Sequence, residues 1–242
     1  MSALNHISNS VLNTRYTTEE SELNLFLKEW DEEYEKESQN IAIFNPSLTQ
    51  HWTEGQKVFF AKAFYHARGH FHDFLWYLGN HAESKSVKDM ILKNISEEMN
   101  GSARSHEQLY IDFAESVGAD LEKEFVEEET YLDSIKEFNK GHLRWLQNND
   151  NNSRLSAFSA YERLDNIDYK ALMALAKSIN VSQKGQLFFK IHTRVQHFES
   201  TEGELKMIWK YFPQKVRDSF RFIHDHQIEM WKNISNSVFQ LS

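Results

Sequence analysis

Apolar residues recur three and four positions apart along most of this chain, the spacing that places them on one face of an α-helix. Only two prolines and eight glycines interrupt its 242 residues, so the pattern predicts an all-α fold without strands. Gly118 and Pro213 are typical of positions just beyond a helix end. Seven helical regions are predicted: Glu20–Glu37, Gln50–Asn80, Ser84–Val117 with an interruption near Asn100 and Gly101, Glu122–Leu146, Leu155–Ser178, Ser182–Tyr211 and Lys215–Phe239.

Composition narrows the functions that are open to the chain. We expect a single helical domain over residues 1–242, with a polar and flexible N-terminal segment at 1–16. Lys and Arg number 27 against 36 Asp and Glu, and the formal charge of −9 argues against a nucleic-acid partner. The absence of cysteine excludes disulfides, thiolate metal sites and a cysteine nucleophile. Because there is no apolar signal segment and no long uncharged apolar run, we expect a cytoplasmic protein without a membrane partner.

Four acidic and imidazole residues on the predicted helices suggest a metal site: Glu98, His106, Glu162 and His192. Inward carboxylates and imidazoles from several helices are how a helical bundle binds two metal ions. The surrounding sequence is rich in aromatic residues, and an unpaired buried carboxylate would cost several kcal/mol there.

Glu98 and His106 are eight residues apart, which puts them about 80° apart on a regular helix. A kink or local widening at Gly101 would bring them together, and Glu97 is an alternative to Glu98.

Two polar stripes at helical spacing extend the set of candidate ligands. His192, Gln196 and Glu199 share one helix face, and His66, His70 and Asp73 share another. His70 and Glu199 are therefore further candidates for metal ligation. For His66 and Asp73 the alternative is a buried, hydrogen-bonded role.

The segments Asn94–Gly101, Ser105–Tyr110, Tyr161–Glu162 and Phe188–His192 resemble the heme-oxygenase-like dimetal oxidases. That family lies in a superfamily with thiaminase II and the PQQ-synthesis protein. The likeness runs from about Trp52 to Glu204 and rests on the order and spacing of these weak motifs. It implies a heme-oxygenase-like bundle of about seven helices, often a homodimer. It also implies two bound irons, and the use of dioxygen to desaturate, cleave or oxygenate a small substrate, with no heme.

The resemblance also suggests roles for the ligands and shows where this chain departs from the family. Glu98 is expected to bridge the two metal ions, with His106, Glu162 and His192 as terminal ligands and manganese as an alternative to iron. The family usually has Asp and His where this chain has Gln196 and Glu199, and often has Glu near the position of His70. If His70 replaces a carboxylate and Glu199 replaces an imidazole, the set of metal ligands stays nearly unchanged. The neutral amide of Gln196, however, is a weak ligand.

Two other classes of protein remain as alternatives. One is a metal-free enzyme of the same superfamily, although thiaminase-type hydrolysis normally relies on a cysteine that this chain lacks. The other is a non-catalytic binding or interaction protein with a degenerate metal site, which the presence of Gln196 favours.

Overall fold

The structure, a computed structural model, describes residues 3–100, 104–194 and 198–241, with side chains from residue 20 onward except that of residue 100. Within these ranges all regular elements are helical, which confirms the predicted all-α fold class. A 3₁₀ turn spans Ala42–Phe44. The α-helices are α1 (Ala3–Ser38), α2 (Pro46–Thr49), α3 (Glu54–His81), α4 (Lys85–Asn100), α5 (His106–Ser116), α6 (Leu121–Glu127), α7 (Asp133–Asn148), α8 (Asn151–Ser178), α9 (Gln186–His192), α10 (Phe198–Tyr211) and α11 (Pro213–Gln240).

The described residues thus form eleven α-helices where about seven were predicted, chiefly because long predicted helices are divided. Helix α1 begins at Ala3, earlier than the predicted start, and includes most of the segment expected to be flexible. The predicted fourth helix is divided into α6 and α7 at Glu128, which adopts a left-handed conformation with φ of 51°. The backbone N–H of Thr130 then donates to the Glu124 carboxylate at 2.7 Å instead of continuing the helix.

Helix α8 lies at the centre of the bundle, where it packs against α9, α10 and α11. Large aromatic side chains fill the space between the helices, and burying each contributes roughly 1.5–3 kcal/mol. Those that are almost completely buried include Phe60, Phe74, Tyr110, Phe113, Phe158, Phe188, Phe189, Phe220 and Trp231.

A buried carboxylate ties α8 to its neighbours. Asp168 accepts hydrogen bonds from the Tyr34 hydroxyl at 2.9 Å, the Trp231 indole N–H at 2.8 Å and the Gln227 amide at 3.3 Å. Burial raises the pKa of Asp168 to about 6 despite these donors. The network joins α1, α8 and α11.

Among the helices described, none combines the length and apolar character that crossing a lipid bilayer requires.

Candidate metal centre

Three of the predicted ligands meet in the core of the bundle. Glu98 lies near the end of α4, His106 begins α5 and His192 ends α9, and all three are buried. One ligand atom from each side chain lies within 4.8 Å of the corresponding atoms of the other two. In the part of the chain that the structure describes, this is the one such group of three or more metal-competent side chains.

The sequence between α4 and α5 accounts for the contact between Glu98 and His106. Helix α4 ends at Asn100, and α5 begins at His106 after Ser105, whose side chain caps the helix by accepting from the Gln108 backbone N–H at 3.1 Å. His106 Nδ1–H donates to Glu98 Oε1 at 2.8 Å. The predicted interruption near Asn100 is therefore present, while Gly101 lies outside the described residues.

The ring of His192 is fixed on two sides. Its Nδ1–H donates to the Phe188 carbonyl at 2.7 Å, which assigns the lone pair of the neutral ring to Nε2. The ring also stacks on Tyr169, with the ring centres 4.0 Å apart and the planes at 9°. Burial lowers the pKa of His192 to about 3, so the imidazole is neutral at physiological pH, the form that binds metal.

Glu98 is ionised even though it is buried. Burial alone would raise its pKa, but the neighbouring imidazoles of His106 and His72 hold the pKa well below its usual range. The buried guanidinium of Arg68 is also close, with one terminal nitrogen 3.9 Å from Glu98 Oε2 and the other 2.6 Å from Glu107 Oε2. Arg68 therefore contributes a permanent positive charge beside the cluster.

Two further carboxylates approach the cluster from α8. Glu162 is buried, and the pKa of its carboxyl is raised well above the usual range by burial and by the charges of Asp165, Glu98 and Glu97. Asp165, one turn later, is raised in the same way by burial and by the charges of Glu98 and Asp168. Carboxylates this close and this poorly hydrated repel one another, and a bound cation would relieve that repulsion.

The remaining predicted residues lie outside the cluster. Glu97 is partly buried and pairs with Lys93 at 3.7 Å, so Glu98 is the carboxylate that faces His106. His70 is buried on α3 beside His142, with the ring centres 5.3 Å apart, and neither of its ring nitrogens makes a hydrogen bond. Glu199 is exposed in the first turn of α10, and Gln196 lies outside the described residues.

His66 and Asp73, for which a hydrogen-bonded role was the alternative to metal ligation, have partners outside the cluster. His66 is 2.9 Å from the buried carboxylate of Glu124, which also accepts from Thr130. Asp73 lies 3.9 Å from the ring of His70. For His66 this placement agrees with the hydrogen-bonded alternative.

Sequence reasoning missed Arg68 and Asp165 as members of this site. Asp165 follows Glu162 by three residues, so their shared helix face was a usable signal. Arg68 is four residues before His72 on α3, but only the packing of α3 against α4 and α5 shows that it approaches Glu98.

An open cleft of about 510 Å³ leads from solvent to Glu98. Its walls are formed by α3, the last turn of α4, the first turn of α5, and the segment from α6 to α7. The lining residues are Tyr65, His66, Gly69, His70, His72, Asp73, Glu98, Met99, Glu107, Phe125, Glu128, Tyr131 and Asn139.

A buried cluster of carboxylates and imidazoles inside an all-α bundle is the kind of site at which helical metalloproteins bind their ions. The sequence model of the family described as iron-containing redox enzyme matches residues 58–197, which span Arg68, Glu98, His106, Glu162, Asp165 and His192. The chain belongs to this family.

Solved structures show the same fold. A domain of unknown function with a heme oxygenase-like fold from Shewanella denitrificans OS217 is similar with a TM-score of 0.69 and 16% identity, over 90% of this chain and 92% of that one. A CADD-like protein of unknown function from Nostoc punctiforme PCC 73102 is similar with a TM-score of 0.66 and 16% identity, over 89% of this chain and 96% of that one. At these identities the likeness establishes the heme-oxygenase-like fold, as expected from the sequence. No curated protein matches the chain.

Proposed function

We propose that this protein is a nonheme diiron oxidase that uses dioxygen to oxidise a small organic substrate. The observation that carries the proposal is the convergence of Glu98, His106 and His192 within 4.8 Å in the core, next to Glu162. Family membership supplies the expectation of iron.

The side chains present fit an iron site. Carboxylate and imidazole are ligands that iron accepts, and the set needs a counter-charge because several carboxylates share one buried region. Glu98, His106, Glu162 and His192 would hold the metal ions. Asp165 is a further carboxylate within electrostatic range of the site. Iron bound by such ligands supplies open coordination positions and the electrons for reducing dioxygen.

The protein contributes positioning, charge and protection from water. For His106 and Glu98 both to hold a cation through the atoms that now share a hydrogen bond, the proton on His106 Nδ1 would have to move to the other ring nitrogen or leave the ring. Arg68 lies over the rings of Tyr110 and Phe188 and keeps a positive charge beside Glu98. Tyr169 and Phe188 cover His192, which limits access of water from the core side.

The iron content of the protein tests this proposal. Metal-free protein is loaded anaerobically with ferrous iron, and in parallel with Mn²⁺, and then analysed for bound metal. We expect about two iron ions per chain and consumption of dioxygen when the ferrous protein is exposed to air. The His192→Ala and Glu162→Ala variants should bind less iron yet remain folded, whereas His51→Ala, at an exposed position, should bind as much as the unmodified protein.

Equal iron content in all four proteins would contradict the ligand assignment. A protein that binds no metal and does not consume dioxygen would refute the proposal as a whole and favour a ligand-binding role for the bundle. The homodimeric state and the cytoplasmic location remain predictions from the sequence.

A further inference from the structure

Each oxygen of the Glu98 carboxylate lies near a different histidine. His106 Nδ1 donates to Oε1 at 2.8 Å, and His72 Nε2 lies 3.8 Å from Oε2. The first contact is a hydrogen bond, whereas the second distance is too long for one. His106 begins α5 and His72 lies on α3, so the two imidazoles approach the carboxylate from different helices.

The Nε2 atom of His72 is buried without a hydrogen-bond partner. It is inaccessible to solvent and makes no hydrogen bond in the described structure, although the side chain as a whole is 23% exposed and lines the cleft. Buried polar atoms are usually paired, because an unpaired one loses the hydrogen bond that water would provide. A bound ion between this nitrogen and Glu98 would supply the missing partner.

The distance between the two atoms suits a shared metal ion. Imidazole nitrogen and carboxylate oxygen bind a divalent ion such as Zn²⁺ at about 2.0–2.2 Å. Two such atoms on one ion are therefore at most about 4.2 Å apart. His72 Nε2 and Glu98 Oε2 are within that limit at 3.8 Å. Both residues line the cleft, which gives an ion a path from solvent.

The charges around this position also favour a cation. Arg68 is 3.9 Å from Glu98 Oε2 and would repel one, but its guanidinium is paired with Glu107 at 2.6 Å. Because that pair is neutral overall, it does not cancel the negative charge of Glu98. Glu162 and Asp165 add two carboxyl groups within electrostatic range of Glu98, and both become easier to ionise when a cation is bound.

We propose that His72 is a ligand of one of the two metal ions, which binds between His72 Nε2 and Glu98 Oε2 and is a different ion from the one that His106 and His192 bind. This inference rests on the proposed function, which requires two ions. In the described structure Glu98 and His72 line the cleft, whereas His106 and His192 do not. The ion at His72 is therefore the one that a small molecule in the cleft would reach first.

The number of ions bound by the His72→Gln variant tests this assignment, because the neutral amide of glutamine is a weak ligand. Metal-free protein is dialysed anaerobically against ferrous iron, and in parallel against Mn²⁺, and the bound metal is measured by mass spectrometry. We expect about one ion per chain in His72→Gln and about two in the unmodified protein. With Mn²⁺, electron paramagnetic resonance should show interacting ions in the unmodified protein and an isolated ion in the variant.

Two controls separate ligation from a structural effect. His81→Gln makes the same change at an exposed position on α3 and should bind as many ions as the unmodified protein. Because His72 Nε2 makes no hydrogen bond, His72→Gln should melt at the same temperature as the unmodified protein when both are free of metal. A lower melting temperature of the metal-free variant together with loss of all metal would mean that His72 supports the fold, and would overturn the inference.

The inference is also overturned if His72→Gln binds as many ions as the unmodified protein, or none. Equal binding of about two ions by both proteins would leave the proposed oxidase intact. A lack of metal in the unmodified protein would refute the oxidase and this inference together. Loss of one ion by His72→Gln, in a protein that consumes no dioxygen, would support His72 as a ligand and refute only the oxidase.

Discussion

Replacing His106 by glutamine distinguishes two roles of this residue, that of a metal ligand and that of a hydrogen-bond donor to Glu98. In the folded protein His106 donates to the buried Glu98 carboxylate at 2.8 Å. Removing the donor altogether, as in His106→Ala, would leave a buried charge without its partner and cost about 3–5 kcal/mol. The amide of glutamine can still donate to Glu98, so we expect His106→Gln to cost only about 1–2 kcal/mol in the metal-free protein. It should nevertheless lose iron, because a neutral amide is a weak ligand.

The expected size of the metal effect follows from mass action. Ferrous iron at a hundredfold excess over its dissociation constant would stabilise the unmodified protein by about 2.7 kcal/mol for each ion bound. For a chain of this length each kcal/mol raises the melting temperature by about 2–4 °C. Iron should therefore raise the melting temperature of the unmodified protein by about 5–11 °C for each ion bound and leave that of His106→Gln nearly unchanged.

Differential scanning calorimetry under anaerobic conditions, with and without ferrous iron, measures both effects. His51→Gln, at an exposed position, is the matched control and should respond to iron like the unmodified protein. If His106→Gln showed the full iron-dependent rise in melting temperature, His106 would not be a ligand. If it unfolded without iron as readily as His106→Ala, the hydrogen-bond reasoning would be wrong.

Three other substitutions test the surroundings of the site. Burial lowers the pKa of His226 to about 4, so between pH 6.5 and 5 the unfolded chain takes up a proton that the folded protein does not. His226→Gln should therefore remove about 2 kcal/mol of acid destabilisation, measured by urea unfolding at both pH values. An unchanged pH dependence of the unfolding free energy would contradict this role of His226. Tyr110→Phe removes the 2.6 Å hydrogen bond to the Ala61 carbonyl. It should lower the free energy of unfolding by about 1 kcal/mol, measured in denaturant, without lowering the iron content. A loss of iron would mean that the Tyr110 hydroxyl contributes to the metal site. Gly185 lies just before α9, and Gly185→Ala would bring a methyl group to 2.5 Å from the Ser116 hydroxyl. The substitution should cost about 1–3 kcal/mol of stability and weaken iron binding by displacing α9. An unaltered melting temperature would show that the neighbouring side chains move aside.

Most helices of the bundle were predictable because their apolar spacing is a local property of the sequence. The division between α6 and α7 was not, since no glycine or proline marks it. It depends on Glu128 adopting a left-handed conformation and on Glu124 accepting from Thr130, contacts that form only when this segment packs against His66 on α3.

The candidate site shows the same limit. Glu98 and His106 were predicted to meet because a glycine follows Glu98 by three residues, and the structure brings the two together. Arg68 was missed because its approach to Glu98 depends on how two helices cross, which no spacing within one helix reveals. For the same reason Glu199 could be placed on the His192 face only by assuming one continuous helix, whereas α9 ends at His192 and α10 begins at Phe198.

The hydrogen bonds to Asp168 bear on how the metal site is assembled. Asp168 lies six residues after Glu162 on the same rigid helix, so its bonds to Tyr34, Gln227 and Trp231 set the axial rotation of α8. These contacts of Asp168, which lies about 60° around the helix from Asp165 and about 120° from Glu162, thereby help to fix the direction in which both carboxylates project. Incoming metal ions would thus meet carboxylates that are already oriented. They would bind to a bundle that is already folded, and metal binding would not be needed to fold it.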